Sequence, residues 1–477
     1  MSPTPALEAG RQIDGFELQE RIHRGGMASL WRVTRADLPS PALMKVPAIQ
    51  DDPTSIVGFE VEQMIMPLLA GPHVPRFIAS GGFDVQPYIV MEMIEGASVK
   101  MQLDASPLPV EAVAGLGTAI AEAVHDLHRQ GVIHLDIKPS NILMRSPSQA
   151  VLVDFGLSRH ERLPDLLAEE FRLPMGTAPY ISPEQVLHVR DDPRSDLFSL
   201  GALLYHLATG QRAFGSPTSV SGLRKRLYQA PVPPRAINPQ FPPWLQEIIL
   251  HCLEVEAGHR YGSAAQLAFD LSHPDLVVLT ERSERIGKDP LGRTFKRWMR
   301  AIGREPVGPN VTQQLQRAPI VMAAVDLSEE WEALADAIRT TARRVLLAEP
   351  DARLACVSVL KTPRIGLDLS SDEEGRNLHV KRLVGLQHWA RPLAPAAQRI
   401  THHVLEASDP AEAIIDYARA NRVDHIIIGS RGASSLRRYM GSVSTQVVAQ
   451  APCSVTVVKV GRDFGPDDGV AHPAAGA

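Results

Sequence analysis

A two-lobed α+β unit followed by an open, parallel α/β sheet is the multidomain architecture expected of this chain. Three observations lead there. The chain has 477 residues, and a single hydrophobic core stops growing near roughly 250 to 300, so more than one core is needed. The apolar pattern changes twice, from short β-type runs to helical spacing near Gly96, and then to alternating strands and helices from Pro319. Just ahead of that second change, residues 281–317 hold nine Lys or Arg against four acids, the mark of a charged connector.

The elements follow in order. Residues 1–12 are rich in Pro and Ala and read as a tail. From Ile13 to about Glu95, the runs SLWRV, ALMKV and PYIVMEMI are separated by Gly and Pro turns, with a helical stretch at GFEVEQMIMPLL. That is a small, mostly antiparallel sheet with one helix. Over 96–275, Val113, Leu116, Ile120, Val124 and Leu127 recur at three and four residues and stop at Gly131, giving one apolar helical face. Helical patterning continues through DLFSLGALLYHLATG and WLQEIILHCLEV, so the second lobe is larger and helical. Residues 276–318 are expected to be a basic, solvated linker. Over 319–460, IVMAAVDLS, LACVSVLK, HHVLEA, DHIIIGS and CSVTVVKV are strands, with helices after the first, third and fourth, the pattern of a helix-covered parallel sheet. Residues 461–477 read as a second tail.

Composition narrows the function. A net charge of −5 disfavours nucleic acid or an anionic membrane as the main partner. The three cysteines, Cys252, Cys356 and Cys453, have no metal-like spacing and suit a reducing compartment. No apolar run approaches the ~18 residues of a membrane span. The start MSPTPALEAG has neither the basic nor the hydrophobic segment of a signal peptide, so a cytoplasmic location is expected.

The most informative stretch is HLDIKPSN at 134–141, followed thirteen residues past Asn141 by Asp154 in VLVDFGLS. Phosphoryl transfer asks little covalent work of a protein. It needs a positioned nucleophile, metal ions held against phosphates, and neutralised charge. Two carboxylates, a carboxamide and a lysine supply a proton acceptor, hard oxygen ligands and a cation.

With these motifs in order, residues 13–275 resemble the eukaryotic-type protein kinases, and Lys138-Pro139 resembles their Ser/Thr-specific branch. The resemblance implies ATP with Mg²⁺ (or Mn²⁺) and a protein substrate bearing a Ser or Thr hydroxyl. Asp136 would be the catalytic base, and Lys138 would steady the γ-phosphate. Asn141 and Asp154 would hold the metal. Lys45 would meet the α- and β-phosphates, partnered by Glu62 with Glu60 as the other register. Gly25, Gly26, Leu43, Met91 and Met93 would line the nucleotide. Glu184 would pair with Arg260, and Asp196 would tie down the catalytic loop.

Several positions depart from the family pattern. The glycine-rich loop reads IHRGGMASL, with His23, Gly25 and Ala28 where three glycines are usual, and Leu43 replaces a small residue over the adenine. Leu135 stands where an arginine usually reads a phosphate on the activation segment. The segment itself, HERLPDLLAEEFRLPM at 160–175, has no Ser, Thr or Tyr. Activation without phosphorylation of that segment is therefore expected. The alternative is an ATP-binding pseudokinase scaffold or regulatory module with little turnover.

The stretch DHIIIGSRGASSLRRYMGS places Gly429, Gly432, Gly441 and Ser442 between a strand and a helix, where backbone amides approach phosphate. Residues 319–460 resemble the universal stress protein family, which implies an open α/β fold that often binds ATP and pairs through its last strand. Asp326 matches that family's first-strand acid, and it also suits a helix cap. Eight residues separate Gly432 from Gly441, one fewer than the family's spacing. A nucleotide sensor or a homodimerisation domain is expected.

Overall fold

The computed structural model describes residues 7–25, 28–48, 53–287, 291–302, 318–362, 377–393, 399–430 and 442–460. The chain divides into two units, Met1–Leu315 and Gln316–Ala477.

In the first unit six strands form an antiparallel sheet in the order β1-β2-β3-β4-β6-β5: β1 Gln12–Ile13, β2 Phe16–Arg24, β3 Ala28–Thr34, β4 Ala42–Pro47, β5 Phe77–Gly81 and β6 Tyr88–Glu92. Side chains alternate across a strand. Ala42, Met44 and Val46 of β4 therefore join Phe16, Leu18, Trp31 and Val33 in a core on one face. Leu43 and Lys45 take the other face, where helix α1 (Pro53–Ile65) carries Glu62. Gly58 in α1 and Gly156 approach so closely that a Cβ on Gly58 would lie 3.1 Å from the Gly156 carbonyl oxygen. A glycine in a helix interior costs about 1 kcal/mol relative to alanine, and close passage of the chain across α1 accounts for this one.

The larger lobe is built on α2 (Val110–Arg129), whose Val113, Ile120, Val124 and Leu127 are buried while Leu116 is partly exposed. Later come α3 (Leu166–Glu170), α4 (Pro183–Val186), α5 (Arg194–Thr209), α6 (Pro243–Cys252) and α7 (Ala264–Ser272). A Cβ on Gly117 would lie 2.9 Å from both Leu204 and Leu271, so this glycine lets α5 and α7 close on α2. The hairpin of β7 (Ile142–Ser146) and β8 (Gln149–Leu152) pairs Ile142 with Leu152. That register brings Asn141, just before β7, beside the segment leading to Asp154 after β8.

The expected connector begins with a docked segment. Glu247, 2% exposed, accepts hydrogen bonds from the amides of Thr280 and Ser283 at 3.0 Å each and from Arg282 Nε at 2.8 Å. Gln246 Nε2 donates to the carbonyls of Arg282, Ser283 and Arg285. Burying those two polar side chains of α6 requires partners, and 280–285 supplies them. The structured lobe thus runs beyond residue 275. Helix α8 (Leu291–Ile302) follows.

The second unit is a five-stranded parallel sheet, order β11-β10-β9-β12-β13: β9 Ile320–Ala324, β10 Arg353–Lys361, β11 Ile400–Ala407, β12 His425–Gly429 and β13 Ser454–Val458. Helices α9 (Glu332–Ala348), α10 (Leu378–Ala390), α11 (Pro410–Asn421) and α12 (Ser442–Gln450) connect the strands. The strand pattern alone left α10 unassigned. It is capped by Asn377, which accepts from the Val380 amide at 3.0 Å, and Trp389 Nε1 donates to the Ala335 carbonyl of α9 at 2.9 Å.

Candidate functional site: a phosphotransfer cleft

Three groups from three elements converge at Lys45. Its Nζ lies 2.5 Å from Glu62 Oε2 and 2.8 Å from Asp154 Oδ1, which settles the helix register in favour of Glu62. Burial opposes the charge on Lys45, but the two carboxylates outweigh it and hold the ammonium above the ordinary lysine range. The ammonium in turn draws Asp154 down to about 2, while burial pushes Glu62 upward. Because the folded value of Asp154 is depressed, its contribution to stability is complete above the ordinary aspartate value of about 4. That contribution is lost as the pH falls toward about 2. Asp154 has φ +68°, a left-handed conformation that a non-glycine residue keeps only where its surroundings enforce it.

Asp136, 6% exposed, is held by four side-chain and backbone donors. Oδ1 accepts from the Thr177 amide at 3.0 Å and from Thr177 Oγ1 at 2.7 Å. Oδ2 accepts from Lys138 Nζ at 2.6 Å and Asn141 Nδ2 at 3.2 Å. Asn141 Oδ1 has Ser140 Oγ at 3.2 Å. A depressed, ionised Asp154 and a carboxamide oxygen on Asn141 are the hard oxygen donors that suit Mg²⁺ shared with a phosphate. Among the described residues no group of three or more His, Cys, Asp or Glu forms a self-sufficient metal cage.

The loop bearing Asp136 is fixed from beneath by Asp196 of α5, fully buried. Its Oδ2 accepts from the His134 amide and lies by His128 Nε2, and its Oδ1 accepts from the Leu135 amide, each at 2.8 Å. Burial alone raises a carboxyl pKa, yet these bonds and the nearby imidazoles bring Asp196 below its usual value. Leu135 sits at φ +61° with its side chain buried, and its carbonyl accepts from Gln185 Nε2 at 2.8 Å. Gln185 also closes a capping box with Ser182 at the start of α4. Arg260 grips Glu184 in a bidentate pair at 2.6 and 2.8 Å.

Of the remaining expected nucleotide residues, Leu43 lies opposite Met91 in the β4–β6 ladder, with Met91 buried and Met93 just beyond β6. The Gly25 amide donates to the Ala28 carbonyl at 2.9 Å, closing the β2–β3 hairpin. Gly26 lies outside the described residues.

Two arginines escaped the sequence reading. Arg190 donates from Nε to both oxygens of Asp165 at 3.1 and 2.8 Å, and from Nη2 to the Leu157 carbonyl at 3.0 Å. Asp165 also caps α3, accepting from the Ala168 amide at 3.2 Å. Arg226, 1% exposed, donates to the carbonyls of Ile181 and Ala178 on either side of Pro179-Tyr180. Burial lowers its pKa to about 10. Neither had a motif to mark it; in sequence Arg226 is one member of the basic run RKRL.

In the second unit β9 and β12 are neighbours although distant in sequence, so the point where strand order reverses lies between their carboxyl ends. Open α/β sheets bind ligands there. Asp326 follows β9, and its Oδ1 accepts from the Ser328 amide at 3.1 Å and Ser328 Oγ at 2.7 Å, which closes a local turn ahead of the helical turn that begins at Glu329. Gly429 ends β12, and a Cβ there would lie 2.7 Å from Leu334 Cδ2, so packing of α9 itself demands a glycine. Gly432 and Gly441 lie outside the described residues, and Ser442 opens α12.

Comparison with known proteins agrees with this geometry. Residues 16–271, just over half of the chain, match the protein kinase domain, and 319–459 match the universal stress protein family. A probable serine/threonine-protein kinase of Clostridium perfringens is 29% identical over 278 residues, 58% of this chain and 38% of that protein. The serine/threonine-protein kinase PknL of Mycobacterium tuberculosis is 30% identical over 269 residues, 56% of this chain and 67% of PknL. PknB of Mycolicibacterium smegmatis is 28% identical over 297 residues, 59% of this chain and 47% of PknB. The chain spans about two fifths of the length of the first of these relatives. Among the described residues no helix is long and apolar enough to cross a membrane. The chain belongs to the protein kinase family, with that domain at 16–271 and a universal stress protein domain at 319–459.

Proposed function

We propose that this chain is an ATP-dependent Ser/Thr protein kinase whose turnover does not depend on phosphorylation of its activation segment. The convergence of Glu62 and Asp154 on Lys45, with Lys138 bound to Asp136 and its charge acting on Asp154, carries the reading. Glu62 aims Lys45 at the phosphates. Asp136 receives the proton of the attacking hydroxyl, and Thr177 orients that carboxylate through Oδ1. Lys138 offsets charge on the transferred group. Asn141 and Asp154 would hold Mg²⁺, which would supply neutralisation of phosphate charge. Incorporation of labelled phosphate from ATP into a generic basic protein tests the assignment; none, with ATP still bound, leaves only a scaffold.

The Arg190–Asp165 pair supports independence from phosphorylation. Leu135 has no charge with which to read a phosphate, whereas Arg190, already paired, joins the two ends of 157–165 through groups the chain carries itself. Recombinant protein is expected to keep its full activity after phosphatase treatment. Arg190→Ala is expected to lower kcat by about tenfold or more, because the half-buried acceptors Asp165 and Leu157 lose their donor and the segment loosens. A large phosphatase effect, or an Arg190→Ala protein as active as wild type, defeats this part.

For residues 319–460 the reading is a nucleotide sensor or a domain that pairs two chains. Asp326 and the end of β12 flank the point of strand-order reversal, and among the described residues β13 is an edge strand, the side of a sheet that a second copy can extend. Equilibrium ATP binding that weakens on Asp326→Ala, or a dimeric mass by analytical ultracentrifugation, is the expected outcome. Absence of both refutes it.

A further inference from the structure

We propose that α8 is an interfacial anchor that lays the first unit on an anionic lipid surface. The helix, LGRTFKRWMRAI at Leu291–Ile302, contains Arg293, Lys296, Arg297 and Arg300 and no acid. With 3.6 residues per turn, Leu291, Phe295, Trp298, Met299 and Ile302 fall within one arc of about 100°, and the four basic positions fall on the opposite side. Helices of globular proteins turn such an apolar arc inward. Here Phe295, Trp298 and Met299 are 60%, 40% and 56% exposed. The Phe295 and Trp298 rings lie 5.6 Å apart, so they form one patch.

The helix meets the lobe along a different edge. Ala301 packs against the cluster of Ile181, Val186 and Leu227, which leaves the aromatic patch uncovered. Exposed apolar side chains are also concentrated just upstream, at Leu276, Val278, Leu279 and Ile286.

Charge decides what covers the patch. An apolar arc backed entirely by Lys and Arg, with an aromatic residue at its border, matches the boundary between acyl chains and acidic headgroups. Each basic residue near such a surface adds to binding, and the attraction is local. The net charge of −5 on the whole chain does not cancel it, because charges more than about 10 Å away are largely screened. Overall composition therefore disfavours a membrane while this one helix suits its surface, and among the described residues no helix is long and apolar enough to span it.

The test is sedimentation of the full chain with vesicles of phosphatidylcholine alone or of phosphatidylcholine with phosphatidylglycerol, at low and high salt. The expected result is binding to the anionic vesicles at low salt, weaker by about tenfold or more on neutral vesicles or at high salt. Two variants separate the contributions: Phe295→Ser with Met299→Ser removes apolar contact, and Lys296→Glu with Arg300→Glu reverses charge. Each pair is expected to weaken anionic binding by about tenfold or more with an unchanged melting temperature, since the altered side chains that are described face solvent. The proposal is overturned by no binding at low salt, by equal binding to both vesicles, or by variants that bind as wild type does. It is also overturned if the chain self-associates without lipid and Phe295→Ser abolishes that association, which assigns the patch to a second copy. All these readouts are independent of phosphotransfer.

Discussion

Asp136→Asn is expected to lower the rate of phosphate transfer by about 10²–10⁴, the usual contribution of a positioned general base, while ATP affinity changes little. A thousandfold loss corresponds to about 4 kcal/mol of barrier. The carboxamide has nearly the shape of the carboxylate, and Lys45, the cation proposed to meet the nucleotide, is held by Glu62 and Asp154 rather than by Asp136. What changes is the site's ability to accept a proton. The amide keeps one oxygen to accept from Thr177, as Oδ1 now does. Its NH₂ then faces the donors Lys138 and Asn141, which occupy Oδ2 in the native loop. Two donors set against a third disturb the loop as well, by about 1–3 kcal/mol, so kcat falls more than the chemistry alone requires. Single-turnover transfer with pre-bound ATP separates the effects. A variant that retains more than a tenth of wild-type rate removes Asp136 from its assigned role.

The candidate site is legible in the sequence because the proposed chemistry needs particular residue types in a fixed order. Lys45, Glu62, Asp136, Asn141 and Asp154 are far apart in sequence, yet each sits in a short stretch whose neighbours are recognisable, and the structure brings Lys45, Glu62 and Asp154 into direct contact. Glu62 was distinguishable from Glu60 only by helix phase, which the side-chain geometry supplies. Less legible were residues whose task is to hold backbone. Gly58 is one glycine in an otherwise ordinary helix until Gly156 is seen against it. Arg190 and Arg226 carry no mark in the sequence because their partners are carbonyls and a carboxylate far along the chain. The docking of 280–285 was hidden for the same reason. Gln246 and Glu247 look like the solvated turn of an amphipathic helix, and only burial reveals that they must be satisfied by the segment that follows. Helix α10 is hard to read from sequence because its buried set, His379, Leu383, Leu386, Trp389 and Ala390, begins on a histidine and shares its arc with Arg382, which weakens the stripe.

Asp196→Ala is expected to destabilise the kinase unit by about 3–5 kcal/mol, the cost of leaving buried groups without their charged partner. The substitution strands the amides of His134 and Leu135, which both end on this carboxylate at 2.8 Å, and releases His128. A loss of that size lowers the melting temperature by on the order of 10 °C in a domain of this length. Function suffers beyond stability. Leu135 holds φ +61°, a conformation that costs a leucine roughly 1–3 kcal/mol, and its amide bond to Asp196 fixes that turn one residue before Asp136. Once the bond is gone the backbone relaxes to negative φ and swings the Asp136 carboxylate away from Thr177. A displacement of 1 Å at such a position costs on the order of a hundredfold in rate. The pH dependence has a definite sign. Since the folded pKa of Asp196 lies below its ordinary value, the stabilisation is complete above the unfolded carboxyl value of about 4. It disappears as the pH falls through the lower folded value. Wild type and variant melting curves should accordingly lie far apart at neutral pH and converge in acid. Curves that run parallel from neutral pH into acid would show that the carboxylate's charge is not what secures the loop.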